Sequence, residues 1–273
     1  MTSPIAACSM ALLSVIFACG DEPSLGANST ATTTTGAGGG MMTGGHGGAM
    51  TSTAVGGMGG IGGTDSGGAG GVPLAGFGDI SGSCGVLDEP QLTGAGPEYF
   101  ANALDFGAMD FDYRQLSGGA KKVHDDGNLG GNSLYSEIFA YEVVHRCELA
   151  DLVKTEGEIA YQNVMGKKTD LLVTIDGLSI GVSVTRAVGF PKDAPYTVEQ
   201  AKLLLEDKLA DIQLSSANVS AADGWEKQIL LILAYADEHA SALQQALAQV
   251  DAATKADTVV WVTLTDGNDA FIY

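Results

Sequence analysis

The chain has 273 residues and a formal net charge of −20, with 33 acids against 13 bases. Nucleic-acid binders draw most of their affinity from basic groups set against phosphates, so a broad polynucleotide-capturing surface is not expected. Half of residues 36–71 are Gly, mixed with Thr, Ser, Ala and Met. Such a segment cannot bury enough apolar surface to offset chain entropy, which leaves roughly 190 residues for about one domain.

The chain begins with an apolar run, Ile5 to Cys19, too short to span a bilayer. It reads as a signal peptide over residues 1–19. Ile16-Phe17-Ala18-Cys19 resembles a bacterial lipobox, followed at once by polar Gly20-Asp21-Glu22. The resemblance implies lipid attachment at Cys19 and an extracytoplasmic, membrane-anchored lipoprotein of the bacterial cell envelope. Met1-Thr2-Ser3-Pro4 departs from that pattern in carrying no positive charge. Residues 20–76 read as a disordered tether, and roughly 50 flexible residues reach about 40 Å. His46 and the Met residues scattered through it read as low-complexity drift rather than a metal trap.

Residues 77–132 read as a poorly defined extension of the domain. Pro97 to Leu104 is a short-helix candidate. Asp105, Asp110, Asp112 and the run Asp125-Asp126-Gly127-Asn128 match no complete calcium loop and are explained by turn chemistry. Cys84 and Cys147 either pair in an oxidising compartment or leave Cys147 a buried free thiol on a helix. No cysteine or histidine has zinc-ligand spacing. His124, His145 and His239 show no nucleophile partner pattern.

Residues 133–273 are the most legible. Asn132 or Ser133 is the expected N-cap of a helix from Leu134 to Val153, apolar at helical spacing. Glu158 to Asn163 is the next strand candidate. Asp176-Gly177, between two runs of branched residues, predicts a two-residue hairpin turn. Counting back from it places Asp170 opposite Ser183 and Lys168 opposite Thr185. Leu171, Val173, Ile175, Ile180 and Val182 then share an apolar face, and Lys168, Asp170, Ser183 and Thr185 share the polar one. Thr197-Val198-Glu199-Gln200 is a capping box opening a helix to about Gln213. Lys227 to Tyr235 reads as a strand buried on both faces. A helix capped by Asp237 runs to about Val250, and Thr258 to Thr265 is the last strand. The expected class is α/β, a mixed α+β sheet with helices on both faces.

The order helix, three strands, helix, strand resembles the core of the PD-(D/E)XK nuclease superfamily, the restriction-endonuclease-like αβββαβ fold, over roughly residues 133–265, with an extra C-terminal helix and strand. That family places an acid on the first helix, an Asp at the second strand and acid-x-Lys on the third. Such carboxylates hold Mg²⁺ while the Lys orients the attacking water. The resemblance puts Glu137, or Glu142, in the helix position and Asp170 in the strand position, so these two would be the metal ligands. Ser183-Val184-Thr185 stands where acid-x-Lys belongs, so one carboxylate and the Lys are missing. Lys168, Lys202 or Lys208 are substitutes for that Lys, and Glu158 for the acid. Arg186 reads as a surface or ion-pair residue rather than a phosphate clamp. The leading expectation is therefore a catalytically silent, tethered interaction module without a cofactor, partnered with the membrane through Cys19 and with a protein the sequence does not name. The alternative is a divergent Mg²⁺-dependent phosphodiesterase using Glu137, Asp170 and Lys168.

Overall fold

The computed structural model describes residues 71–192 and 194–273. Expectations for Cys19, His46 and the tether through residue 70 fall outside the described residues. The sheet has seven strands: β1 (Asp79–Gly82), β2 (Glu98–Asp105), β3 (Asp151–Thr155), β4 (Leu171–Ile175), β5 (Leu178–Ala187), β6 (Lys227–Ala234) and β7 (Val259–Asp266). Their order across the sheet is β1-β2-β7-β6-β5-β4-β3. The four central strands β2, β7, β6 and β5 are parallel, and β1, β4 and β3 are antiparallel to their neighbours. The helices are α1 (Glu89–Thr93), α2 (Gly118–Asp126), α3 (Leu134–Glu148), α4 (Val198–Asn218), α5 (Asp237–Leu247) and α6 (Ala252–Lys255). The class is thus mixed α/β. No helix among the described residues is long and apolar enough to cross a membrane.

The hairpin follows its turn chemistry. Asp176 and Gly177 both have positive φ, as a type I′ turn demands. Ile175 pairs with Leu178 and Leu171 with Val182, the register counted from that turn. The odd-numbered apolar side chains of β4 enter a core shared with α2 and α3, and β6 sends Ile229, Leu231 and Leu233 into the same core. Its alternate residues, Leu230 and Ile232, meet α4 and α5 on the opposite face. Every residue of β6 is buried, which explains its unbroken apolar reading. Thr197 and Gln200 complete the reciprocal capping box of α4, which continues to Asn218.

Several expectations are corrected. Pro97–Leu104 is not a helix: β2 lies there, its Tyr99 and Phe100 pairing with Val260 and Trp261 of β7. The helix from Leu134 stops at Glu148, because Leu149 adopts a left-handed conformation and ends it. The next strand is therefore Asp151–Thr155 and not Glu158–Asn163, where only Tyr161 bridges to Val219. Asp237 lies in the first turn of α5; the cap position is Ala236. Residues 79–126 supply β1 and β2 to the same sheet, together with α1 and α2.

Three consecutive residues at the end of α3 grip the chain on both sides of β1. Arg146 donates to the carbonyls of Leu74, Phe77 and Gly78 at 2.7–2.9 Å. Cys147 forms a disulfide with Cys84, which decides the pairing. Glu148 accepts the backbone N–H groups of Gly85, Val86 and Leu87 at 2.9–3.2 Å.

Candidate metal centre

Three carboxylates converge beside the start of β4. One oxygen each from Glu137, Glu156 and Asp170 lies within 4.8 Å of the others. Each residue stands at an element boundary, where the backbone leaves the regular ladder and a side chain can turn toward its neighbours. Glu137 is in the first turn of α3, Glu156 directly follows β3, and Asp170 directly precedes β4.

Each carboxylate is pinned through one oxygen. Glu137 Oε1 accepts from Asn128 Nδ2 (3.0 Å) and Ser133 Oγ (2.9 Å). Glu156 Oε2 accepts the Leu129 N–H at 2.9 Å. The short loop after α2 thereby orients two of the three acids. Asp170 Oδ2 accepts the Val184 N–H at 2.6 Å, and the Asp170 N–H donates to the Val182 carbonyl, fixing the residue to β5. The second oxygen of each acid has no hydrogen-bond partner among the described residues. Carboxylates oriented in this manner through outer partners are the usual support of a hard-cation site.

The electrostatics show what the cluster costs. Asp170 is pushed up to about 8, by burial first and then by the negative charge of Glu137; Glu156 adds to the rise, while the Val184 N–H and the ammonium of Lys208 oppose it. Burial also raises Glu137, against the pull of Asn128 and Ser133. Like charges at this spacing disfavour joint ionisation, and a bound divalent cation would reverse that balance. The donor set, three carboxylates with hard oxygens, fits Mg²⁺ or Mn²⁺ better than a soft metal.

The other sequence candidates separate. Ser183 is not in the cluster. Its hydroxyl lies 2.9 Å from Thr169 Oγ1 and donates to Gln228 Oε1 at 3.3 Å. Gln228 Nε2 in turn donates to Ile212 O, Ser215 Oγ and Ser216 Oγ. Thr185 is half-buried, one strand position before Arg186, and is no carboxylate-cluster member either. Lys168 sits 5.9 Å from the Tyr161 ring centroid. Lys202 pairs with Glu206, and Glu142 is buried and accepts the Ser117 N–H. Glu158 pairs with Lys122. Of the candidate cations, only Lys208 registers on Asp170. Arg186 donates to the Ile272 carbonyl at 2.7 Å.

Glu156 is the residue the sequence reading misses. An acid does stand beside the first strand of the meander, but two positions earlier than Glu158. Placing the strand at Glu158–Asn163 hid it, and Asp151-Leu-Val-Lys-Thr155, without a clean alternation, gives no strong strand signal of its own.

The AAC-rich mRNA clone AAC4 protein of Dictyostelium discoideum is 37% identical to this chain over 154 residues, 54% of its length. The chain spans 22% of that relative's own length. No family model and no solved structure matches.

Proposed function

We propose that this domain binds a divalent cation through Glu137, Glu156 and Asp170 and hydrolyses phosphodiesters as a divergent PD-(D/E)XK-like enzyme. The observation that carries the reading is the convergence of three carboxylates, each anchored on one oxygen and open on the other. The order α3-β3-β4-β5-α4-β6 supports the family resemblance. Glu156, just past the end of β3, supplies the second sheet-side acid that Ser183 cannot. When bound, the cation supplies charge stabilisation and a more acidic water. Asp170 and Glu156 position that charge at the sheet end, and Lys208 on α4 replaces Lys168 as the candidate ammonium near Asp170.

A silent interaction module is the second reading, favoured by Ser183 and Thr185 in the acid-x-Lys positions and by the hydrogen bonds that enclose Ser183. Mn²⁺ titration of the full chain, paired with cleavage of bis(p-nitrophenyl) phosphate and of oligonucleotides, separates the two. Mn²⁺-dependent cleavage lost in Asp170→Ala is the expected result. Binding without cleavage establishes the silent module, and no Mn²⁺ binding sinks the centre itself.

The same reading places the domain outside the cytoplasm, tethered at Cys19. The Cys84–Cys147 disulfide supports an oxidising compartment. Cys19→Ser is expected to move the protein from the membrane fraction to the soluble one; persistence in the membrane fraction refutes the anchor.

A further inference from the structure

A cavity of about 450 Å³ beside Trp225 has its glutamine amides largely engaged internally. A larger one, about 700 Å³, opens at the first turn of α3 and differs in kind. It lies within the ~300–1,000 Å³ range of small-molecule sites. Arg186 and Lys192 line it, together with Tyr135, Phe190 and Phe271.

The two cations are unusual in a chain of net charge −20. Neither is ion-paired among the described residues. Arg186 uses Nη1 on the Ile272 carbonyl, and the rest of its guanidinium fork makes no hydrogen bond among the described residues. Lys192 stands 5.0 Å from the Tyr235 ring centroid. On the apolar side, the Tyr135 and Phe271 rings meet edge to face at 6.1 Å. Phe190 is 98% exposed, an aromatic ring that contributes nothing to the core. Large exposed aromatics beside a cavity mark a contact for a flat apolar group.

None of Glu137, Glu156 and Asp170 lines the cavity, but two of its lining residues share elements with the residues that hold them. Tyr135 precedes Glu137 by two positions in the same helical turn. Arg186 follows Val184, whose N–H holds Asp170, by two positions on β5.

We infer that this cavity binds one nucleotide unit, its phosphate against Arg186 and Lys192 and its base against Tyr135 and Phe190. The inference rests on the proposed cation centre for its catalytic meaning, but the binding event itself does not. The ligand is a free mononucleotide or the end of a single strand. A duplex is disfavoured twice: its bases are stacked and paired, so none is free to enter, and a long polyanion meets the acidic surface with little counterion release to gain. Base–aromatic stacking tolerates any base, because every base has a π-face.

The test is calorimetric titration of the full chain, in EDTA, with adenosine 5′-monophosphate, inorganic phosphate, a 5′-phosphorylated oligo(dT) and a blunt hairpin duplex. Adenosine monophosphate or the oligonucleotide is expected to bind, the duplex at least tenfold more weakly. Stronger binding of the oligonucleotide assigns the strand end; stronger binding of the mononucleotide assigns a free nucleotide. Arg186→Ala and Phe190→Ala are each expected to weaken binding at least fivefold. Phe190 is fully exposed, so its variant leaves the core intact even if Arg186→Ala unfolds. Binding of phosphate as tight as that of the nucleotide, equal binding of the duplex, indifference to Phe190→Ala, or no binding at all overturns the inference. Mn²⁺ binding to the Phe190→Ala protein, measured separately, shows whether the cation centre stands or falls on its own.

Discussion

Two polar clusters flank the same hairpin, and they differ in one respect. Around Ser183, the hydroxyls and amide of Thr169, Ser183, Gln228 and Ser215 satisfy one another across β5, β6, α4 and the segment leading into β4. Around Asp170, three carboxylates are each half satisfied and repel one another. Buried polar groups that close on themselves hold a fold in one arrangement, whereas groups left open and mutually repelling are costly unless something else binds them. On the proposed reading the contrast assigns chemistry to Asp170 and architecture to Ser183, although both lie on the polar face counted from the turn.

That contrast can be broken in several ways. The largest effect belongs to the disulfide, which holds the helix carrying Glu137. The long loop it closes, between Cys84 and Cys147, corresponds to about 4 kcal/mol of unfolded-state constraint. Chemical denaturation of Cys84→Ser should show a loss of that order, and weaker Mn²⁺ binding as α3 loosens. Next, Gln228→Ala should cost about 3 kcal/mol, since it strands several buried hydroxyls at once. Its Mn²⁺ affinity should stay unchanged; a parallel loss would erase the distinction between the clusters. Third, Mn²⁺ at a hundredfold excess over its dissociation constant should stabilise the wild type by about 2.7 kcal/mol, and Glu156→Ala should remove most of that shift in a thermal melt.

The pH dependence sharpens the comparison further. The folded Asp170 holds its proton up to about 8, whereas an unfolded Asp releases it near 4. Across that window the unfolded chain binds fewer protons, so cation-free stability falls as pH rises and levels off above about 8. Glu137 shifts in the same direction. A melt at pH 8.5 should therefore lie below one at pH 6, by ~2–4 °C for each kcal/mol. Asp170→Asn should flatten the difference, and Mn²⁺ should recover most at the higher pH. The smallest effect is Ser183→Ala, about 1 kcal/mol with no change in cation affinity.

The sequence made the hairpin legible because turn type and alternation are local. Asp176-Gly177 sets the register, and Thr197 with Gln200 sets the start of α4. That frame put Asp170 opposite Ser183, and the family resemblance laid on it paired Glu137 with Asp170. Glu156 could not, because its role depends on where α3 stops, and the left-handed Leu149 that stops it carries no composition signal. β2 was equally hidden: its partner is β7, near the far end of the chain, and only that parallel pairing makes Glu98–Asp105 a strand. The roles of Asn128 and Leu129, which orient two acids, come from a loop whose Asp-Gly-Asn composition reads as an ordinary turn.

The grip of Arg146, Cys147 and Glu148 on residues 74–87 has a mechanical consequence. Any pull on the chain ahead of Leu74 reaches the domain through the last turn of α3. It meets first a guanidinium fork on three carbonyls, then a covalent bond, then a carboxylate on three amides. The edge strand β1 lies between the first and second of these, so it is shielded from being peeled off the sheet. Tension along the leading segment is borne by a helix packed in the core, and Glu137 at the other end of that helix stays in place.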